Sequence, residues 1–405
     1  METPNSTRWP DLPVDILRSL FERLSYIDFH RAKMVCSNWY LCSKQTLGPK
    51  GRSPLLLLSP EEGGCRLYNP EEDRVYVPRR YFSGCRFLGN SGKWFLVADS
   101  QSNLYIVDVF SDEKIDLPRL ELVSKDGCVH NLEPLGDGDF EEMLVGRNYG
   151  IRKSAEELRG RVWVDDKTGD YVVVCRFDRC DYMRFCKKGV DRYSEIQTRV
   201  GVNVFLKGQD DMVLNGYNLY VFTPRCSLRN IDLSGKDGFE DVTKQPMFTW
   251  YKPFPSAEEK ERMRAFKPIS ESYNIAVTRS GEVLLVHNYT YESTTTFEKH
   301  RTFGVYKRQL KHLEDPETSY KPWLVEVDSL GDEALFLDLG ITLPADATLG
   351  IEPNSIYFTR DDRFRLMPLS FLDICVYNLV TKSIKRFPTL SSKLKLKDAQ
   401  WFIPS

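Results

Sequence analysis

A short unit recurs along this chain: an apolar strand, a polar turn and a second strand ending in proline. Its spacing narrows the fold more than any other feature of the sequence. The segment LYIVDVFSDEKIDLP (104–118) aligns without gaps on ICVYNLVTKSIKRFP (374–388). RLYNPEEDRVYVP (66–78) has the same form with one residue fewer in the turn, and FCKKGVDRYSEI (185–196) reads as a fourth copy. Asn69 and Asp108, which close the first strand in two copies, stand 39 positions apart (108 minus 69). A period near 40 residues is that of a four-stranded propeller blade, and radial repetition leaves only short, protected sheet edges.

The stretches between the copies fit that reading. WFLVA (94–98), YVVVCRF (171–177), LYVFT (219–223), EVLLVH (282–287) and SIYFT (355–359) have strand length and are rich in Val, Tyr and Phe, with turn residues between them. Six units are expected, near 53–78, 84–118, 160–196, 202–233, 270–340 and 345–388. No WD dipeptide or paired-glycine signature repeats, and a pair of β-sandwiches is the structural alternative. Ser256 and Glu259 have the spacing of a capping box and predict one helix at 257–266. Residues 119–159, 234–269 and 288–320 are expected to be long non-strand stretches. Such lengths are uncommon in compact domains unless functional or disordered, so one or more of them is expected to set the choice of binding target.

Residues 9–47 have a different texture. Leu12, Ile16, Leu17, Leu20 and Leu24 fall on one face of a helix, and Asp11 and Pro13 suit its start. Ser25 to Asp28 is a break, Asp28 is placed to cap a second helix carrying Phe29, Ala32 and Val35, and Cys36 and Trp39 continue into a third. A helical segment of this size buries too little surface to be stable alone. Its apolar face must cover the β region or a partner.

The chain offers little to catalysis. It has five histidines, no HExxH and no GxSxG, and its ten cysteines form no CxxC pair. GCRFLGNSGKW (84–94) has Trp94 where a phosphate loop needs Ser or Thr, and reads as a turn between strands. The acidic pairs Asp165-Asp166, Asp210-Asp211 and Asp361-Asp362 are expected to be solvated turns, and Lys299, His300, Arg301, Lys307, Arg308, Lys311 and His312 a solvated basic stretch. Neither a catalytic site, a metal nor a cofactor is expected. With 56 basic and 58 acidic residues the net charge is −2, which gives no footprint for nucleic acid. The N-terminus lacks the pattern of a signal or transit peptide and the apolar runs are too short for a membrane span. A cytosolic or nuclear protein is expected, with its cysteines reduced.

The segment WPDLPVDILRSLFERLSYIDFHRAKMVCSNWYLC (9–42) resembles the F-box. Leu12-Pro13, Ile16-Leu17, Leu20, Leu24, Asp28, Arg31, Val35-Cys36 and Trp39 carry the likeness. The resemblance implies docking on a Skp-type adaptor and through it on a cullin. By position, Leu12, Pro13, Ile16, Leu17, Leu20, Leu24, Val35, Cys36 and Trp39 would form the set that faces the adaptor or holds the module together. The polar stretch His30-Arg31-Ala32-Lys33 departs from the pattern, since many F-boxes are more apolar there. GDEALFLDLG (331–340), NSIYFTRDD (354–362), DICVYNL (373–379) and a terminal WFIP (401–404) are similar to the plant F-box family that carries a KIB-type β-propeller. Phe336, Leu337, Phe358 and Trp401 are expected to be core.

The expected fold is mainly β with a small α module: a three-helix F-box at 9–47, then a KIB-type β-propeller of about six blades at 53–400. The resemblance implies a substrate receptor of a ubiquitin ligase, with an unknown target protein, no nucleic acid and no membrane among its partners, and no enzyme activity of its own. A scaffold that sequesters its target without degradation is the alternative, and a propeller enzyme with a helical cap the third reading.

Overall fold

Each apolar run is ended by a residue that turns the chain. Asn69, Asp108 and Asn378 accept hydrogen bonds from backbone N–H groups two or three residues on, those of Glu71, of Phe110 and Ser111, and of Val380 and Thr381. These are Asx turns, and they are why Asp or Asn recurs at that place in the repeat.

The computed structural model describes residues 12–46, 53–78, 82–111, 113–120, 130–135, 139–144, 150–177, 182–197, 211–222, 228–235, 238–243, 266–308, 324–361, 372–387, 390 and 395–404. Three helices come first, α1 (Val14–Phe21), α2 (Tyr26–Ala32) and α3 (Ser37–Gln45). Blade one begins with β1 (Leu55–Pro60), β2 (Arg66–Asn69) and β3 (Arg74–Tyr76). Blade two holds β4 (Arg86–Ser91), β5 (Trp94–Ala98), β6 (Leu104–Asp108) and β7 (Lys114–Asp116). A three-stranded sheet follows, β8 (His130–Pro134), β9 (Phe140–Leu144) and β10 (Gly150–Lys153). Blade three is β11 (Leu158–Asp165), β12 (Asp170–Phe177), β13 (Tyr182–Lys187) and β14 (Ser194–Gln197). Blade four is β15 (Asp211–Asn215), β16 (Asn218–Phe222), β17 (Leu228–Asp232) and β18 (Glu240–Asp241). Blade five is β19 (Phe266–Val277), β20 (Val283–Ser293), β21 (Lys299–Arg308) and β22 (Leu324–Glu326). Blade six contains β23 (Glu333–Phe336), β24 (Ile341–Pro344), β25 (Ser355–Arg360), β26 (Leu372–Asn378) and β27 (Ile384–Arg386), and the parallel pairing of Val277 with Ile341 joins blades five and six into one nine-stranded sheet. The last strand, β28 (Leu396–Phe402), returns to pair antiparallel with β1, from Leu55↔Phe402 to Pro60↔Leu396. Blade one is thus completed by the end of the chain.

The strands alternate sides, as period-two side chains must. In β1, Leu55 and Leu57 enter the apolar core between blades one and two, while Leu56 and Leu58 enter the core between blades one and six. Val172 and Val174 face blade four, and Val173 and Cys175 face blade two. Every gap between neighbouring blades holds such a core, six in all among the described residues. Burial on both faces is why the sequence shows unbroken runs such as LLLL and VVV.

Hydrogen bonds also link the inner strands around the ring. Asn90 donates to the Trp401 carbonyl, Arg86 to the Glu156 carbonyl, Arg161 to the Met212 carbonyl, Ile275 N–H to Asp211, Val277 N–H to the Gly340 carbonyl, and Trp401 Nε1 to the Phe358 carbonyl. Blade two therefore meets blade three directly, and the β8–β10 sheet is an insertion. Phe140 of that insertion packs edge-on against Phe177, 5.3 Å between centroids.

In a ring of six, blades three and six are opposite each other. Arg161 of β11 nonetheless reaches the Asp338 carbonyl of blade six, as well as the Met212 carbonyl at 2.8 Å and Asp211 at 3.5 Å. A buried guanidinium thus occupies the propeller axis. The walls close in around it: a Cβ on Gly340, whose φ is +71°, would stand 2.3 Å from a Val213 methyl.

Several expectations change. The six units are present, but β23 and β24 belong to blade six, so the boundary near 340–345 moves back to about Glu333. The stretches 119–159 and 288–320 contain strands at 130–134, 140–144, 150–153 and 288–308, and 234–269 ends in the start of β19. Turn-like composition there concealed half-exposed strands. The helix expected at 257–266 lies outside the described residues except for Phe266, which opens β19. Phe336, Leu337, Phe358 and Trp401 are buried as expected.

Candidate functional site

The helical module has its own core. Leu17, Phe21, Ala32, Trp39 and Cys42 are buried together, with Leu12, Leu20, Leu24, Phe29 and Cys36 packed around them. Phe21 meets Phe29 and Trp39 edge-on at 5.3 and 5.8 Å, and the Cys42 thiol donates to the Val14 carbonyl, joining α3 to α1. The second helix is capped by Ser25, whose hydroxyl accepts from Asp28 N–H at 3.1 Å and donates to the Asp28 carboxylate at 3.0 Å. Asp28 is the third residue of α2 rather than its cap. That corrects the sequence reading, which overlooked Ser25 as an equally good cap.

The nine positions carried over from the motif fall into two groups. Leu17 and Trp39 are buried, and Leu12, Leu20, Leu24 and Cys36 are half-buried against the same core. Pro13, Ile16 and Val35 are exposed, Ile16 at 55% and Val35 at 54%. Three further apolar residues of the module, Val14, Tyr40 and Leu41, are also exposed, Leu41 at 58%. The motif did not point to them. On α3 the buried positions Trp39, Cys42 and Ser43 mark the inner face, and Leu41 lies about 150° away from it at 100° per residue. Isolated exposed apolar residues need no explanation, but five large ones on α1, α3 and the turn before α3 form an unusual concentration.

The module is not left free of the propeller. Ile27 of α2 is buried in the core between blades one and two. His30 lies against the Phe110 ring, 5.0 Å between centroids. Arg31 donates to the Val77 carbonyl at 2.5 Å and sits 5.5 Å over the Tyr76 ring. The Tyr76 hydroxyl reaches Ser25 at 3.4 Å. The polar stretch His30-Arg31-Ala32-Lys33 thereby gains a physical reason. Its His30 and Arg31 side chains contact the propeller, while Ala32 is buried in the core of the module itself.

This joint is sensitive to acid. Burial and the nearby Lys33 push the His30 imidazole down to about 4, with Asp108 pulling the other way and Lys93 adding to the depression. Unfolded, the same group takes up a proton near its usual value of about 6.5. The unfolded chain therefore binds more protons between about 4 and 6.5. The stability linked to His30 is complete above that window and falls by about 3 kcal/mol as the pH drops through it. Thermal unfolding scans at several pH values should show His30→Phe, which keeps the ring contact, losing less stability than wild type between pH of about 7 and about 5.

The other end of the propeller carries a cavity of about 500 Å3, lined by Glu61, Arg86, Glu156, Arg159, Arg360, Lys397 and Asp398 among others. Arg86, Leu158 and Lys397 mark the starts of inner strands β4, β11 and β28, so the cavity opens on the face where the inner strands begin. β4 then runs roughly 17 Å to the turn holding Lys93, which pairs with Asp108 at 3.1 Å beside α2. The helical module and the cavity are thus at opposite ends of the same strand. Four of the cavity's charges form two pairs: Arg360 with Asp398 at 3.2 Å and Lys397 with Glu156 at 3.6 Å.

Not every charged group expected in solvent is there. Asp211 is buried, with its carboxylate accepting from Ile275 and Met212 N–H and from Asn274. Burial pushes its carboxyl upward, against the pull of Arg161 and those donors. Asp361 and Asp373 hold the buried Arg301 at 2.6 and 2.8 Å. Asp166 is exposed as expected, while also accepting from Trp94 Nε1 at 2.6 Å. Asp165 does sit in an exposed turn, accepting from Lys167 N–H and the Thr168 hydroxyl. The basic stretch is a strand whose residues alternate between two faces, and Lys311 and His312 lie outside the described residues. Among the described residues no three His, Cys, Asp or Glu side chains converge to hold a metal ion.

Comparison with known proteins places both regions. The F-box domain family matches residues 9–46, and the KIB1-4 beta-propeller family matches residues 67–378. F-box protein At5g25290 of Arabidopsis thaliana is 49% identical, over 98% of this chain and 97% of its own length. F-box protein KIB3 of the same plant is 33% identical over 97% of this chain and 82% of its own length, and F-box protein KIB4 is 32% identical over 100% and 98%. The three-helix module and the propeller lie where these two families match, and the chain belongs to the plant F-box proteins that carry a KIB1-4 β-propeller.

Proposed function

We propose that this protein is the substrate-receptor subunit of a Skp–cullin–F-box ubiquitin ligase. Its helical module docks on the Skp-type adaptor, and its propeller presents a target protein for ubiquitination and degradation. It carries the target rather than the chemistry. The observation that carries this reading is the division of labour among the three helices. Helix α2 is spent on the propeller through Ile27, His30 and Arg31, whereas α1, α3 and the turn before α3 leave Val14, Ile16, Val35, Tyr40 and Leu41 exposed. A cap serving only the β domain would turn those residues inward. Helix-on-helix docking is the recognition mode that such a face fits.

The same reading places the protein in the cytoplasm or nucleus. Buried free thiols such as Cys65, Cys175 and Cys375 suit a reducing compartment; burial pushes the Cys175 thiol up to about 12, which keeps it inert.

Co-expression with a Skp-type adaptor tests the proposal. The expected result is co-elution of the two chains in size-exclusion chromatography as an equimolar complex. A folded receptor chain that elutes alone, at concentrations well above micromolar, overturns it.

A further inference from the structure

Strand β19 overshoots the propeller. Ile275 N–H bonds to Asp211, the first residue of inner strand β15, yet β19 begins nine residues earlier at Phe266 (275 minus 266). At 3.3 Å per residue the overshoot is roughly 30 Å. β20 and β21 follow it, paired up to Phe266↔Ser293 and Glu292↔Lys299. A three-stranded sheet therefore rises from the face where the inner strands begin, the face of the cavity and the one away from the helical module.

The two sides of this raised sheet differ completely. On one side Arg301 is buried against Asp361, Asp373 and Asn288, with Arg386 also pairing to Asp373 at 2.9 Å. That cluster braces the sheet against blade six. Lys267 and Lys299 share this side, because each pairs with Glu292 in register.

The opposite side carries a ladder of rings. Tyr273 stacks on His287 at 4.7 Å, His287 meets Tyr289 at 6.1 Å, Tyr289 meets Tyr291 at 5.6 Å, and Tyr291 stacks on His300 at 5.4 Å and meets Phe266 at 4.6 Å. Period two along β20 puts His287, Tyr289 and Tyr291 on one face. Glu271, directly across from Tyr289, is the carboxylate of this face. It holds His287 Nε2 at 2.6 Å and accepts from the Tyr273 hydroxyl at 2.8 Å, and with burial it raises the Tyr289 hydroxyl pKa. Phe266, Tyr273, Tyr289 and Tyr291 remain only half-buried and His300 is exposed.

Ring faces are electron-rich and attract cations laid over them, and a carboxylate beside them adds a charged acceptor for a guanidinium or ammonium. Bases could also stack on such rings, but a nucleic acid needs cations for its phosphates. Here Lys267, Lys299 and Arg301 point to the other side and Glu271 faces the ligand. We propose that the ladder is a docking surface for an extended cationic segment of a target protein, with Arg or Lys side chains laid on the rings of Tyr289 and Tyr291 and paired to Glu271. This rests on the receptor reading and gives it a target chemistry.

The test uses the purified full chain without adaptor and a fluorescein-labelled peptide of alternating Arg and Ser, read by anisotropy. A Glu–Ser peptide and an oligothymidylate of matched length serve as competitors. Saturable binding of the Arg–Ser peptide is expected, weakened about tenfold or more by Tyr289→Ala with Tyr291→Ala. Glu271→Gln, which changes charge and not shape, should weaken it several-fold and flatten its dependence on salt. Should the tyrosine variant fail to fold, Glu271→Gln decides alone. Absence of binding, affinity untouched by Glu271→Gln, or tighter binding of the Glu–Ser peptide or the oligothymidylate overturns the proposal. Adaptor capture is measured separately, so peptide binding without capture removes only the receptor reading, and capture without peptide binding removes only the ladder.

Discussion

Changing Ile16 and Val35 together to Asp should abolish capture of a Skp-type adaptor and leave the thermal transition of the protein within a degree or two of wild type. Both side chains are more than half exposed, so their loss removes little from the fold, on the order of 0.5 kcal/mol each. At an interface each would contribute about 1.5–3 kcal/mol through burial, and a carboxylate in its place must also be desolvated. The combined loss is at least about 3–6 kcal/mol, a weakening of roughly a hundredfold to more than ten-thousandfold. Leu17→Ala is the contrasting variant. Leu17 is fully buried in the module core, so it should lose about 2–5 kcal/mol of local stability and weaken capture by loosening the module. Titration of adaptor into each variant separates the two cases. Wild-type affinity in the double Asp variant would mean that the adaptor uses some other face.

The second large effect is expected at the propeller axis. Arg161→Ala should destabilise the protein by about 3–5 kcal/mol, because it strands Asp211 as a buried carboxylate and leaves the Met212 and Asp338 carbonyls without their donor. That corresponds to a fall in Tm of about 4–6 °C. Adding Asp211→Asn to Arg161→Ala should recover part of the loss, since the amide still reaches backbone N–H groups through its oxygen and carries no charge to strand. A double-mutant cycle by thermal or urea denaturation measures the coupling. Additive losses at the two positions would show that the guanidinium is not what holds the axis together.

Much of this was legible in the sequence because burial in a propeller has a simple signature. Leu55 to Leu58 and Val172 to Val174 enter two cores at once, so they read as unbroken apolar runs. The Asx turns at Asn69, Asp108 and Asn378 made the repeat visible. The raised sheet was missed for the opposite reason. Asn288 to Arg308 alternates polar and aromatic residues, because one side packs on charges and the other is half-open, and that pattern read as a loop. The long-range polar contacts were also hidden. Arg161 meets Asp338 across 177 positions and Arg301 meets Asp373 across 72, and nothing local in the sequence distinguishes these residues from surface charges. In the helical module the motif did not separate Leu17 and Trp39, which are buried in its core, from Ile16 and Val35, which are exposed.

The pairing of β1 with β28 has a consequence for how the protein is made. β1 leaves the ribosome early, but its inner neighbour β28 emerges only roughly 20–70 s later at 5–20 residues per second. Until then blade one lacks its inner edge, and the platform that α2 rests on is incomplete, since Phe402 belongs to the same core as Ile27. A chain that stops before Leu396 therefore carries its three helices without a finished blade one. Seating β28 therefore couples the helical module to a closed ring of blades.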